Sequence, residues 1–127
     1  MPYAMSFRKS VAIVDRNQYI NECCVGGDIV VDRLLPSVRQ RYAGIQTNQE
    51  DWGWFIWFQD DNAKLAIDVH TEDSDAGDFQ IRLTSRVKKL WFDKIADTPQ
   101  LDELRTLVES ELKTWGVSGL RVEHVED

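Results

Sequence analysis

The stretch from Asp51 to Ser85 constrains the fold of this chain more than any other. It opens with the run Trp-Gly-Trp-Phe-Ile-Trp-Phe at 52–58, and two segments follow, 64–71 and 79–85, in which apolar and polar residues alternate. Alternation with a period of two is typical of strands that bury one face. Residues that favour turns separate the three segments, at 60–63 and 73–78. We therefore predict a three-stranded antiparallel meander over about 52–90.

The two turns also predict which side chains share a face. With both turns closed symmetrically, one face is apolar and carries Phe55, Trp57, Leu65, Ile67, Val69, Phe79, Ile81 and Leu83. The opposite face then carries Trp52, Trp54, Ile56, Asp68, His70, Glu72, Gln80 and Arg82. His70 is expected to lie opposite Gln80, and Asp68 opposite Arg82 as a pair of unlike charges. A slip of one residue would bury the charges, so the pattern favours this register.

A second clear signal is a C-terminal helix at about 98–115. Thr98 suits the N-cap position, Pro99 suits the first helical position, and Gly116 suits the end. Its apolar residues recur at spacings of three and four and are Leu101, Leu104, Leu107, Val108, Leu112 and Trp115. This stripe is expected to pack on the apolar face of the meander, and 120–125 is expected to add a short edge strand.

The N-terminal third is less regular. Strands are predicted over 6–14 and 19–25, and a polar connector over 43–51. Two alternatives stand for 26–44: a helix interrupted by Pro36, or a short strand at 29–31 followed by a helix from Pro36 to Tyr42. Taken together, 1–127 is expected to form a single α+β domain. It would have a mostly antiparallel sheet of four to six strands, the C-terminal helix on one face and a short N-terminal helical segment.

Composition limits the classes of partner. The chain has 127 residues, a net charge of −7 and a pI near 4.8, which weighs against binding to nucleic acid or anionic membrane and favours a basic partner. No apolar stretch of about 18 residues and no signal-peptide core are seen, so a cytoplasmic protein is expected. The adjacent Cys23 and Cys24 are expected to be reduced thiols.

Two groups of side chains are chemically suggestive. Asp68, His70 and Glu72 alternate on one strand and have the side-chain types of a metal or acid-base site. Arg82, however, is a ready structural partner for Asp68. The acidic segment 73–78 lacks the spacing of a calcium loop and is interpreted as a turn. No motif identifies a reaction, and neither a metal nor a cofactor is predicted.

The tryptophans supply the functional hypothesis. Five are present, and large aromatic side chains are enriched at binding surfaces. The leading hypothesis is a non-enzymatic binding protein of the inhibitor or immunity type, which docks on another protein through Trp52, Trp54, Asp68, His70, Gln80 and Arg82. The alternatives are a small-molecule site, with or without catalysis, on the same face, and a homodimer that buries it. A further alternative is that 29–42 covers this face as a second core layer.

Overall fold

The chain folds into one antiparallel sheet and two α-helices in a computed structural model that describes residues 2–125. The strands are β1 (Tyr3–Arg8), β2 (Gln46–Glu50), β3 (Gly53–Asp60), β4 (Ala63–Asp73), β5 (Asp78–Lys89), β6 (Phe92–Ile95) and β7 (Ser118–His124). The helices are α1 (Gly27–Arg41), between β1 and β2, and α2 (Pro99–Trp115), between β6 and β7. None of the helices within residues 2–125 is long and apolar enough to cross a membrane.

The sheet runs in the order β2-β3-β4-β5-β1-β7, and β6 pairs with β5 beyond the end of β1. This confirms the predicted α+β class with its central meander, although the sheet has seven strands within the described residues rather than four to six. The two unforeseen strands are β2, in the segment predicted to be a connector, and β6. β2 is a polar edge strand with the sequence Gln-Thr-Asn-Gln-Glu, so it carries no alternation that a pattern could detect.

The predicted register is confirmed for one of the two strand pairs of the meander and is wrong for the other. Between β4 and β5, Asp68 lies opposite Arg82 and His70 opposite Gln80, which confirms the prediction. Between β3 and β4, a turn of only two residues pairs Asp60 with Ala63. Two-residue loops are the commonest hairpin connections because their twist matches that of the strands. This loop is one residue shorter than symmetric closure of the turn had implied.

The shorter loop reverses the faces of β3. Ile56 lies opposite Ile67 and belongs to the core, with Trp54 and Phe58 on the same side. Phe55 and Trp57 point to the other face. The predictions that Phe55 and Trp57 lie on the helix-covered face, and that Trp54 and Ile56 lie on the opposite face, are therefore wrong, although Phe55 is itself buried. The reason is that a one-residue shift turns every side chain of a strand over.

Both helices pack on the same face of the sheet. Their buried residues are Val30, Val31, Leu34, Leu35 and Val38 in α1, and Leu101, Leu104, Val108 and Leu112 in α2. The predicted ends of α2 are confirmed, because the Oγ1 atom of Thr98 accepts a hydrogen bond from the amide of Leu101 at 3.1 Å and Gly116 adopts a φ of 82°. The sheet therefore has one face covered by helices and one without.

α1 settles the two alternatives for 26–44 in favour of one helix that continues through Pro36. Pro36 deprives the carbonyl of Asp32 of its helical donor, but both residues are exposed, so water can replace the missing bond. Since α1 lies beside α2, the alternative in which 29–42 covers the opposite face is wrong.

The segment before α1 contains less strand than predicted. β1 ends at Arg8 rather than continuing to 14, and 19–25 forms a loop with a 3₁₀ turn at Glu22–Cys24. The side chain of Asn21 caps this turn by accepting from the amide of Cys23 at 2.9 Å. At the other end of the chain, β7 pairs with β1 at the sheet edge, as expected of the C-terminal strand.

Candidate functional site on the open sheet face

The face of the sheet that carries no helix is called here the open face. Its centre consists of side chains from β3, β4 and β5, namely Phe55, Trp57, Lys64, Ala66, Asp68, His70, Gln80, Arg82, Thr84 and Arg86. The same alternation that buries Ile67 and Leu83 under the helices directs these residues to the opposite side. The result is a mixed aromatic and charged surface on a rigid sheet.

An aromatic pair occupies one side of the open face. The rings of Phe55 and Trp57 stack with their centroids 3.9 Å apart and an angle of 22° between their planes. Phe55 is only 7% exposed although no helix covers it, whereas Trp57 is 39% exposed. Trp57 thus shields Phe55 and presents its own ring to the surroundings. It also lines an open groove of about 510 Å³ together with Gln46, Gln59, Lys64, Ala66, Thr84 and Arg86.

Asp68 lies beside this pair and is tied to it. The indole Nε1 of Trp57 donates a hydrogen bond to the Oδ1 atom of Asp68 at 2.9 Å. Burial raises the pKa of Asp68, while the bond from Trp57 and the charges of Arg86 and Arg82 oppose that rise. The Asp68 carboxylate is therefore partly removed from water, and the hydrogen bond from Trp57 orients it. The guanidinium groups of Arg82 and Arg86 are close enough to influence its pKa.

A second cavity, of about 340 Å³, adjoins Asp68 and is lined by Trp52, Asp68, His70, Glu72, Gln80 and Arg82. The Nδ1 atom of His70 lies 2.8 Å from the carbonyl oxygen of Trp52. Because a carbonyl only accepts, Nδ1 carries the proton. The other ring nitrogen, Nε2, lies 4.0 Å from Glu72 Oε1. The structure thus brings together five of the six residues predicted for the site.

Trp54 is the predicted site residue that lies elsewhere. Its side chain is on the helix-covered side, where Nε1 donates to the carbonyl of Cys24 at 2.8 Å and the ring meets Tyr19 edge-on at 6.5 Å. Gly27 of α1 lies directly against it, since a Cβ there would come within 2.5 Å of the indole. Trp54 therefore attaches the loop before α1 to the sheet.

Sequence reasoning missed Trp57, the most exposed aromatic side chain of the open face, and its partner Phe55. The signal that identifies them is the Asp61-Asn62 pair, whose residue types suit a two-residue hairpin turn. Asp61 adopts a φ of 57°, a left-handed conformation that aspartate tolerates better than most residues. Counting outward from that turn places both rings opposite the core.

The chemistry available on the open face is recognition by stacking, hydrogen bonding and charge. Within the described range 2–125, no three or more His, Cys, Asp or Glu side chains are grouped so as to hold a metal ion. Cys24 is a buried free thiol whose Sγ donates to the carbonyl of Glu50 at 2.9 Å, and burial raises its pKa, which disfavours the reactive thiolate.

Comparison of the chain with known proteins finds no matching family model, no matching curated protein and no matching solved structure.

Proposed function

We propose that this chain is a non-enzymatic, cytoplasmic binding protein that docks on a partner protein through the open face. The observation that carries the proposal is the one-sided packing of the helices, which leaves Trp57 39% exposed on a sheet face that no helix within residues 2–125 covers. Tryptophan and arginine are the residue types most enriched at binding hot spots. On the open face, Trp57 lies between Lys64, Arg86 and the carboxylate of Asp68.

The breadth of the face favours a protein partner over a small molecule. The two cavities lie side by side, so the candidate contact surface extends from Gln46 on β2 to Gln80 and Arg86 on β5. The net charge of −7 favours a basic partner. By analogy with other small acidic proteins, the action proposed is that of an inhibitor or immunity-type module that occupies and neutralises a basic protein.

One observation favours a second candidate, a small-molecule site. The cavity of about 340 Å³ is within the size range of ligand pockets, and Asp68, His70 and Arg82 are among the residues that line it. In that case Trp52 would stack on the ligand, and Asp68, His70 and Arg82 would orient it. A homodimer that buries the open face is the third candidate.

Site-specific photo-crosslinking tests the proposal. A photoreactive residue is placed at Gln59 on the open face or at Thr106 on the exposed side of α2, and both variants are expressed in cells of the source organism. We expect Gln59 to give a discrete adduct with another protein that purified wild type competes away and purified Trp57→Ala does not. Adducts of equal strength from Thr106, or an adduct with a second copy only, would contradict docking of a partner by this face.

A further inference from the structure

The β5–β6 hairpin ends in three exposed apolar side chains. Leu90, Trp91 and Phe92 are 78%, 84% and 51% exposed, and Leu90 and Trp91 form the two-residue turn. The last residue of β5 that pairs with β4 is Val87. At about 3.3 Å per residue, the turn therefore projects about 10 Å past the end of β4. We call residues 88–94 the hairpin tip.

The backbone conformation of the hairpin tip does not require apolar side chains at Leu90, Trp91 and Phe92. Leu90 adopts a φ of 58°, a left-handed conformation that disfavours branched apolar side chains and suits glycine or asparagine. The neighbouring β3–β4 hairpin has Asp61 in the same conformation, followed by Asn62. A local conformational cost combined with exposed apolar surface points to a contact outside the chain.

The hairpin tip carries more positive than negative charge, with three lysines and one carboxylate, Asp93, which lies opposite Lys88. Lys88, Lys89 and Lys94 flank the apolar residues, and within the described chain none of the three takes part in an ion pair. The carboxylate in the same segment, Asp93, is held by Lys64 at 2.9 Å, which lowers its pKa. The hairpin tip is thus locally cationic in a chain that is acidic as a whole.

The acidic groups at the other end of the sheet do not cancel this local charge. β4 has 11 residues and runs from Ala63, beside the hairpin tip, to Asp73 in the acidic turn. That length is about 35 Å, whereas charges in water are screened over about 8–10 Å at physiological salt. The acidic turn therefore does not offset the lysines of the hairpin tip. Asp60 and Asp61, in the β3–β4 turn at the same end, lie behind the tip because it projects past the end of β4, so the attraction for an anionic surface is confined to the tip itself.

We propose that the hairpin tip inserts into the surface of an anionic lipid bilayer. Leu90, Trp91 and Phe92 would enter the boundary between headgroups and acyl chains, where tryptophan is favoured, and the lysines would lie among anionic headgroups. A lipid surface fits better than a protein pocket because the tip is convex and offers three side chains. A stable protein interface usually buries about 800 Å² on each partner.

Co-sedimentation with vesicles tests this proposal. The probes are vesicles of phosphatidylcholine alone, and of phosphatidylcholine mixed with phosphatidylglycerol in equal parts. We expect wild type to bind the mixed vesicles with a blue shift in tryptophan fluorescence, and Trp91→Ser to abolish that shift and weaken binding at least tenfold. Each of Lys88→Gln, Lys89→Gln and Lys94→Gln should weaken binding about fivefold, and added salt should weaken it further.

Two matched variants separate the hairpin tip from other surfaces. Val14 is 94% exposed but lies next to Asp15 in the loop after β1, so Val14→Ser should leave vesicle binding unchanged. Trp57→Ala should also leave it unchanged, because the open face is a different surface. The proposal is overturned if wild type does not bind the mixed vesicles, or if Trp91→Ser and Val14→Ser behave alike. The proposal is also overturned, in favour of a protein partner, if wild type does not bind vesicles but binds a soluble acidic protein that Trp91→Ser does not bind.

Discussion

Trp54 and Trp57 lie three residues apart on β3, but Trp54 packs within the fold whereas Trp57 is partly exposed on the open face. Trp54 is enclosed by the loop before α1, with its indole bonded to the carbonyl of Cys24 and its ring against Gly27. Trp57 contacts Phe55 and Asp68 and exposes 39% of its surface. The comparison shows that residue type does not decide whether a tryptophan stabilises the fold or remains available for binding. The outcome depends on the face of the sheet to which the side chain points, and the length of the β3–β4 turn determines that face.

The largest difference between the two tryptophans is expected in stability. Trp54→Ala removes a ring that joins the N-terminal loop to the sheet and should lower the free energy of unfolding by about 3 kcal/mol or more. Trp57→Ala loses mainly the stacking with Phe55 and one hydrogen bond, and should cost about 1 kcal/mol. Equilibrium denaturation with urea measures both, and similar denaturant dependences would show that the unfolded states are comparable. Equal losses for the two variants would mean that Trp57 is also a core residue.

A smaller effect tests the contact that encloses Trp54. Gly27→Ala adds a Cβ within 2.5 Å of the indole Cδ1 and should cost about 1–3 kcal/mol through overpacking. In the Trp54→Ala background the clash is absent, and alanine is the better helix former by about 1 kcal/mol. The same substitution should then become neutral or stabilising. A cost that persists in the double variant would place the strain in the backbone of α1 rather than against the ring.

The parts of the fold that could be predicted are those in which several local signals agree. β4 and β5 alternate cleanly, and α2 has an N-cap, a proline at its start and a glycine at its end, so their positions follow from the sequence. The run 52–58 is apolar and aromatic nearly throughout, so its pattern contains no information about its faces. Only the length of the β3–β4 loop distinguishes the two possible registers, and closing that turn symmetrically gave the wrong one. β2 is polar and β6 has four residues, so neither gives a periodic signal.

The candidate site was predictable to the extent that it lies on β4 and β5. Asp68, His70, Gln80 and Arg82 follow from the alternation of those strands. Of the two predicted aromatic residues, Trp52 lines the cavity as expected. Trp54 was assigned to the site in place of Trp57, because both lie on β3, whose faces were reversed. An error of one residue in one turn thus left the polar residues and Trp52 in place and exchanged Trp57 for Trp54.

The smallest effect concerns the charge on the open face. Burial raises the pKa of Asp68, so the folded state favours the protonated acid. The stability from that preference is fully present below the unfolded pKa of about 3.9 and is lost as the pH rises through the folded value. Asp68→Asn keeps an oxygen that can accept from Trp57 and removes the ionisation. Relative to wild type, it should therefore become more stable as the pH rises from acid to neutral.

Asp78 provides the matched control, because the hydrogen bond from Arg8 at 2.7 Å lowers the pKa of its carboxyl group. Its contribution is present above the unfolded pKa and is lost as the pH falls through the folded value. Asp78→Asn should therefore be less stable than wild type at neutral pH and approach it in acid, opposite to Asp68→Asn. Urea denaturation across this pH range measures both differences. If Asp68→Asn instead follows the trend of Asp78→Asn, Arg82 and Arg86 outweigh burial, and the open face is hydrated and cationic where a partner would dock.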